Sequence, residues 1–120
     1  MKKILLVDDS TAIRNILKTS LFGDYEICEA ENGEKALEIA KGNNFDLFLL
    51  DVNMPVMDGI TLVRELRKIP DYTGTPIIML TTESRDEKKK EGKEAGANGW
   101  IVKPCEPDKL MGVIKKLIGT

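Results

Sequence analysis

Phe45-Asp46-Leu47-Phe48-Leu49-Leu50-Asp51-Val52-Asn53-Met54-Pro55-Val56-Met57-Asp58-Gly59 is the stretch on which the fold turns. A run that is apolar at nearly every position reads as a strand covered on both faces, the pattern of a parallel sheet. The run ends in a carboxylate, Asp51, and breaks into a loop carrying Pro and Gly. That aims Asp51 at the carboxyl edge of the sheet, where open α/β folds place their chemistry. The arrangement recurs: Ile4-Leu5-Leu6-Val7 leads into Asp8-Asp9, and Trp100-Ile101-Val102 leads into Lys103. Three acids and one lysine at three strand ends suggest a metal-dependent phosphoryl site. Converging carboxylates repel one another unless a cation neutralises them, and ligation by oxygen alone suits Mg²⁺. Taken by itself, Asp8-Asp9 also reads as the acidic start of a helix beginning near Ser10. The separate acid and the lysine tip the balance towards a site.

Working outward, five apolar runs lie at about 3–7, 25–30, 45–50, 76–80 and 99–102, alternating with five amphipathic or polar stretches. Ser10 is a plausible cap for a helix whose stripe is Ile13, Ile16, Leu17 and Leu21. Ala36, Leu37 and Ala40 form a second stripe, closed by Gly42. Asp58 precedes Ile60, Val63, Leu66 and Arg67, and Pro70 ends that helix. Leu110, Val113, Ile114, Leu117 and Ile118 make the last stripe, with Pro107 in its first turn. The alternation predicts a (βα)5 flavodoxin-like fold, a doubly wound five-stranded parallel sheet, in one domain over 1–120.

The fourth helix is the odd one. Ser84-Arg85-Asp86-Glu87 reads as a capping box. The following Lys88-Lys89-Lys90-Glu91-Gly92-Lys93-Glu94-Ala95 has almost no apolar face. It depends on caps and charge pairs such as Asp86–Lys90, and Gly92 weakens it further. It is either a solvated face or a mobile element and docking surface.

Composition narrows the function. A net charge of −2 over 120 residues supplies no basic field for nucleic acid. With no histidine and no CxxC spacing, Cys28 and Cys105 do not suggest zinc. They read as reduced thiols of a cytoplasmic protein. Met1-Lys2-Lys3 before an apolar run imitates a leader peptide, but Asp8-Asp9 interrupts it too early. No segment reads as a membrane span.

Four segments together carry a specific likeness: Val7-Asp8-Asp9-Ser10; Asp51-Val52-Asn53-Met54-Pro55 with Asp58-Gly59; Leu80-Thr81-Thr82-Glu83; and Gly99-Trp100-Ile101-Val102-Lys103-Pro104. In order and spacing they resemble the signature of response-regulator receiver domains, and within that family the CheY-type single-domain chemotaxis regulators. The resemblance implies that Asp51 is the phosphoacceptor, forming an aspartyl phosphate. It implies Mg²⁺ bound by Asp9, Asp51 and the backbone carbonyl of Asn53, with Asp8 acting mainly through water. Lys103 pairs with Asp51 and then with the phosphoryl group, directed inward by a cis Lys-Pro bond. Thr81 bonds the phosphoryl group, and Trp100 holds the aromatic switch position, where a static packing role is the alternative. Asn53 and Glu83 occupy positions that set the rate of dephosphorylation.

On the same basis the chain is not expected to be an enzyme beyond self-phosphorylation and autodephosphorylation. Its implied partners are a histidine kinase, an output protein such as a flagellar-motor component, and a phosphatase. It is expected to act as a monomer in the cytoplasm, without nucleic acid or membrane. A phosphorelay intermediate or phosphate sink would use the same site. An aspartyl-nucleophile phosphatase is disfavoured because Asn53 stands where such enzymes carry a second Asp. A flavin binder is disfavoured because Asp8-Asp9 replaces a phosphate cradle.

Overall fold

The computed structural model describes residues 1–119; Thr120, the last residue of the expected domain, lies outside them. The elements alternate as expected: β1 (Lys3–Val7), α1 (Thr11–Leu21), β2 (Glu26–Ala30), α2 (Gly33–Lys41), β3 (Leu47–Leu50), α3 (Gly59–Arg67), β4 (Ile77–Thr81), α4 (Asp86–Ala95), β5 (Gly99–Val102) and α5 (Pro107–Ile118). A short 3-10 turn, Pro70–Tyr72, separates α3 from β4. All strand pairings are parallel, in the order β2-β1-β3-β4-β5. The fold is therefore the doubly wound flavodoxin-like sheet.

The continuously apolar runs became β1, β3 and β4, the three inner strands. Successive side chains point to opposite faces, so each strand feeds two cores. Leu5, Val7, Phe48, Leu50, Ile77 and Met79 pack under α2 and α3. Ile4, Leu6, Leu47, Leu49, Ile78 and Leu80 pack under α1 and α5 with Leu17, Leu21, Leu110 and Ile114. Burying a side chain of this size contributes about 1.5–3 kcal/mol, so the two layers hold the strand ends in place.

The caps mostly follow expectation. The Ser10 side chain accepts from Ile13 N at the start of α1, and Asp58 does the same for Thr61 N at α3. Pro107 opens α5. Gly42 closes α2 with φ −101°, an ordinary rather than left-handed turn. After α3, the 3-10 turn directs Tyr72 into the core, where its hydroxyl lies 2.6 Å from Ala40 O and 2.5 Å from Asn43 O.

The fourth helix requires two corrections. The capping box does not form: the N-cap is Arg85, with no side-chain cap bond. The box needs Glu87 at the third helical position, and the helix begins one residue too late for that. The Asp86–Lys90 pair is also not among the ion pairs of the described residues. Glu91 pairs instead with Lys88 at 3.3 Å and with Arg64 of α3 at 3.7 Å. Gly92 is the one buried residue of this helix. No helix among the described residues is long and apolar enough to cross a membrane. Both cysteines are free thiols.

Candidate functional site

The topology brings the strand-end residues together. β2 and β3 flank β1 on opposite sides, so the chain reverses its direction of winding at the β1/β3 edge, the place where such sheets open a crevice. Sheet hydrogen bonding continues just past the strand ends: Asp51 N donates to Val7 O at 2.9 Å, and Lys103 N donates to Thr81 O at 2.8 Å. Asp8 and Asp51 thus emerge side by side, and Thr81 and Lys103 emerge beside them.

Asp8 and Asp51 are buried and Asp9 is exposed. One carboxylate oxygen from each lies within 4.8 Å of the others. Lys103 reaches into this cluster from across the sheet, over a cis Lys103-Pro104 bond, as expected. Its Nζ donates to Asp8 Oδ2 at 2.7 Å and to Asp51 Oδ2 at 3.5 Å. The expected Lys103–Asp51 pair is therefore the longer of two. Asp8 is the more deeply buried acid, and an ionised group deprived of water needs a close partner most. Its other oxygen accepts from Ser10 N at 2.9 Å. Asp8 consequently serves both readings of the Asp8-Asp9 pair: it orders the entry to α1 and it lines the acidic cluster.

Gly59 is needed where it stands. A Cβ there would lie 2.1 Å from the Asp51 carbonyl oxygen, so only glycine lets α3 start directly against the Asp51 backbone. Gly59 N donates to Val52 O at 2.9 Å, closing the loop. The loop's tip is strained. Val56 has φ 71° and is 74% exposed, an unfavourable backbone region for a β-branched residue.

Thr81 is fully buried, and its hydroxyl oxygen accepts from Glu83 N at 3.2 Å. Trp100 packs on the core under α2 and α3, and its Nε1 donates to Glu83 O at 2.9 Å. Its ring edge faces Gly92 of α4 so closely that a Cβ on Gly92 would lie 2.7 Å from Cζ3. Asn53 is exposed, with its backbone N–H 3.4 Å from Asp51 Oδ1. Glu83 and Asn53 line one cleft of about 210 Å³, between the β3–α3 loop and α4. The Glu83 carboxyl is pushed down to about 2, first by the Arg85 side chain and then by its backbone N–H.

Asp8, Asp9, Asp51, Asn53, Thr81 and Lys103 come from the carboxyl ends of the strands, Glu83 lines the adjoining cleft with Asn53, and Trp100 is joined to them through the Glu83 carbonyl. Two contributors were not foreseen. Arg85 holds the Glu83 carboxylate, and Gly92 makes room for Trp100. The first had a visible signal: residues two apart in extended chain share a face. The second joins separate elements and had none.

Known proteins bear on this geometry. Residues 4–115 match the family model described as the response regulator receiver domain. The transcriptional regulatory protein SrrA of Staphylococcus aureus is 43% identical over 117 residues, 97% of this chain and 47% of SrrA. The chain thus spans about half the length of the curated relatives it matches. Among solved structures, chemotaxis protein CheY4 of Vibrio cholerae is 45% identical, with TM-score 0.93 and 98% of each chain covered. The receiver domain of sensor histidine kinase PA1611 from Pseudomonas aeruginosa holds a magnesium ion in its active-site cleft. It is 28% identical, with TM-score 0.90, covering 99% of this chain and 98% of that one.

Proposed function

The chain belongs to the response regulator receiver domain family, and on that premise we propose that Asp51 accepts a phosphoryl group from a histidine kinase. The observation that carries this reading is the trio Asp8, Asp9 and Asp51, one oxygen of each gathered within 4.8 Å, with Lys103 bridging Asp8 and Asp51. In transfer, a carboxylate oxygen of Asp51 attacks phosphorus in line. The bond from phosphorus to the donor nitrogen breaks, and its electron pair returns to the donor imidazole.

The carboxylates offer only oxygen donors, a set that fits Mg²⁺. Asp9 and Asp51, with the Asn53 carbonyl, would hold the ion, and Asp8 would act through water. When bound, it supplies positive charge opposite the phosphoryl oxygens. Lys103, already ion-paired to Asp8 and Asp51, counters negative charge added at Asp51. The Thr81 hydroxyl, now an acceptor from Glu83 N, has its own proton to donate to a phosphoryl oxygen. The chain acts on itself in this scheme and turns over no separate substrate.

Its output is docking to a partner protein, in a chemotaxis-type pathway. The 45% identity and near-complete mutual coverage with CheY4 support that reading. The likeness to SrrA favours a second, a receiver that controls transcription.

The decisive experiment is intact-mass measurement after acetyl phosphate and Mg²⁺. One phosphoryl group should add, and none should add in Asp51→Asn or without divalent metal. Undiminished labelling of Asp51→Asn would remove the assignment. Pull-downs with and without beryllofluoride then separate the two outputs.

A further inference from the structure

Glu83 is held at every polar group it owns. Its backbone N–H donates to Thr81 Oγ1 and its carbonyl accepts from Trp100 Nε1. Its carboxylate is gripped by Arg85: Oε2 accepts from Arg85 N at 3.2 Å and from Nε at 3.0 Å, while Oε1 accepts from Nη2 at 2.9 Å. This is a bidentate fork, the strongest geometry an arginine offers a carboxylate. Glu83 and Arg85 also line the cleft that contains Asn53.

The consequence concerns water. Hydrolysis of the phosphorylated site needs a water whose oxygen attacks phosphorus. The bond from phosphorus to the Asp51 oxygen breaks, its electron pair returns to the carboxylate, and the protons of the water leave with inorganic phosphate or pass to solvent. A carboxylate beside that approach assists by accepting a hydrogen bond from the water. A carboxylate whose two oxygens both accept from guanidinium, one of them from a backbone N–H as well, is a poorer acceptor and is held from swinging.

We propose that Arg85 is a positioning residue that prolongs the aspartyl phosphate by clamping Glu83 away from the attacking water. The proposal rests on Asp51 being the phosphoacceptor. It assigns Arg85 no part in holding the fold. The Arg85 side chain is 60% exposed and makes no side-chain cap bond to α4, so its removal tests the clamp rather than folding.

The experiment follows decay of the phosphorylated protein by intact mass in wild type, Arg85→Ala, Glu83→Ala and the double variant. Arg85→Ala should decay severalfold faster, and the acceleration should vanish in the Glu83→Ala background. A second readout uses the unphosphorylated protein. The side-chain carboxyl carbon signal of Glu83 should not titrate in wild type until well below its ordinary value of 4.5, and should return towards that value in Arg85→Ala. Wild-type decay in Arg85→Ala, an acceleration that persists without Glu83, or ordinary titration of wild-type Glu83 would each overturn the clamp. Failure to load Asp51 would appear in the starting mass spectrum and count against the receiver chemistry. The titration, which needs no phosphoryl group, judges the clamp separately.

Discussion

Gly92→Ala sets two physical effects against each other, and its sign decides between them. Gly92 lies inside α4. By helix propensity alone, alanine there should stabilise by about 1 kcal/mol. The structure argues otherwise, because the new Cβ would stand 2.7 Å from Trp100 Cζ3 and 3.2 Å from Cε3. The indole cannot retreat freely, since its Nε1 is bonded to Glu83 O and the ring packs on the core. Overpacking costs about 1–3 kcal/mol, and losing the indole hydrogen bond costs about 1 more. Set against the propensity gain, the expected result is net destabilisation of about 1–3 kcal/mol.

The assay is urea unfolding followed by far-UV circular dichroism, repeated in a Trp100→Val background. With the indole gone, Gly92→Ala should stabilise by about 1 kcal/mol, giving a coupling of about 2–4 kcal/mol between the two positions. If Gly92→Ala stabilises equally in both backgrounds, the indole does not occupy that space and the packing argument fails.

Two further substitutions probe the frame of the site. Tyr72→Phe should cost about 1–3 kcal/mol in urea unfolding, because the one phenol proton shared between Ala40 O and Asn43 O is lost. Burial raises the Tyr72 pKa above 10.0. The neutral phenol's contribution is therefore full below that value and declines as pH rises through the raised one. Wild type should lose more stability than Tyr72→Phe in alkaline unfolding, and equal losses would contradict this. Val56→Gly should stabilise by about 1 kcal/mol by relieving the φ of 71°, and a lowered urea midpoint would show that Val56 is not strained.

What the sequence revealed divides along a physical line. β1, β3 and β4 were legible because both their faces are buried, so the code is a plain apolar run with no partner to guess. Asp8, Asp51, Thr81 and Lys103 were legible because a strand end fixes where a side chain emerges. The choice Lys103 makes between Asp8 and Asp51 was not legible. It depends on relative burial of groups joined across 95 and 52 positions of chain. Gly92 was misjudged for a related reason. Local propensity sees a helix weakener, while the contact that explains it comes from another element. The false capping box failed differently: its residue types were right, but Arg85 was already committed to Glu83, and the helix began later.

Glu83 also suggests how events at Asp51 reach α4 and β5. Its N–H rests on Thr81, its carbonyl holds Trp100, and Trp100 fills the space over Gly92. The Thr81 hydroxyl oxygen accepts from Glu83 N; on the proposed chemistry, a Thr81 that moves to donate its proton to a phosphoryl oxygen carries that bond with it. The Glu83 carbonyl shares the loop, so the indole bond of 2.9 Å is the contact expected to respond. Trp100 is the single tryptophan, and its emission reports the bond directly. Mg²⁺ with beryllofluoride should shift emission wavelength or quencher access more than Mg²⁺ alone, and Thr81→Ala should blunt the difference while leaving Mg²⁺ affinity near wild type. An equal response in Thr81→Ala would mean that the signal bypasses Thr81. No response in wild type at saturating beryllofluoride would make Trp100 a fixed packing residue, with α4 informed by another route.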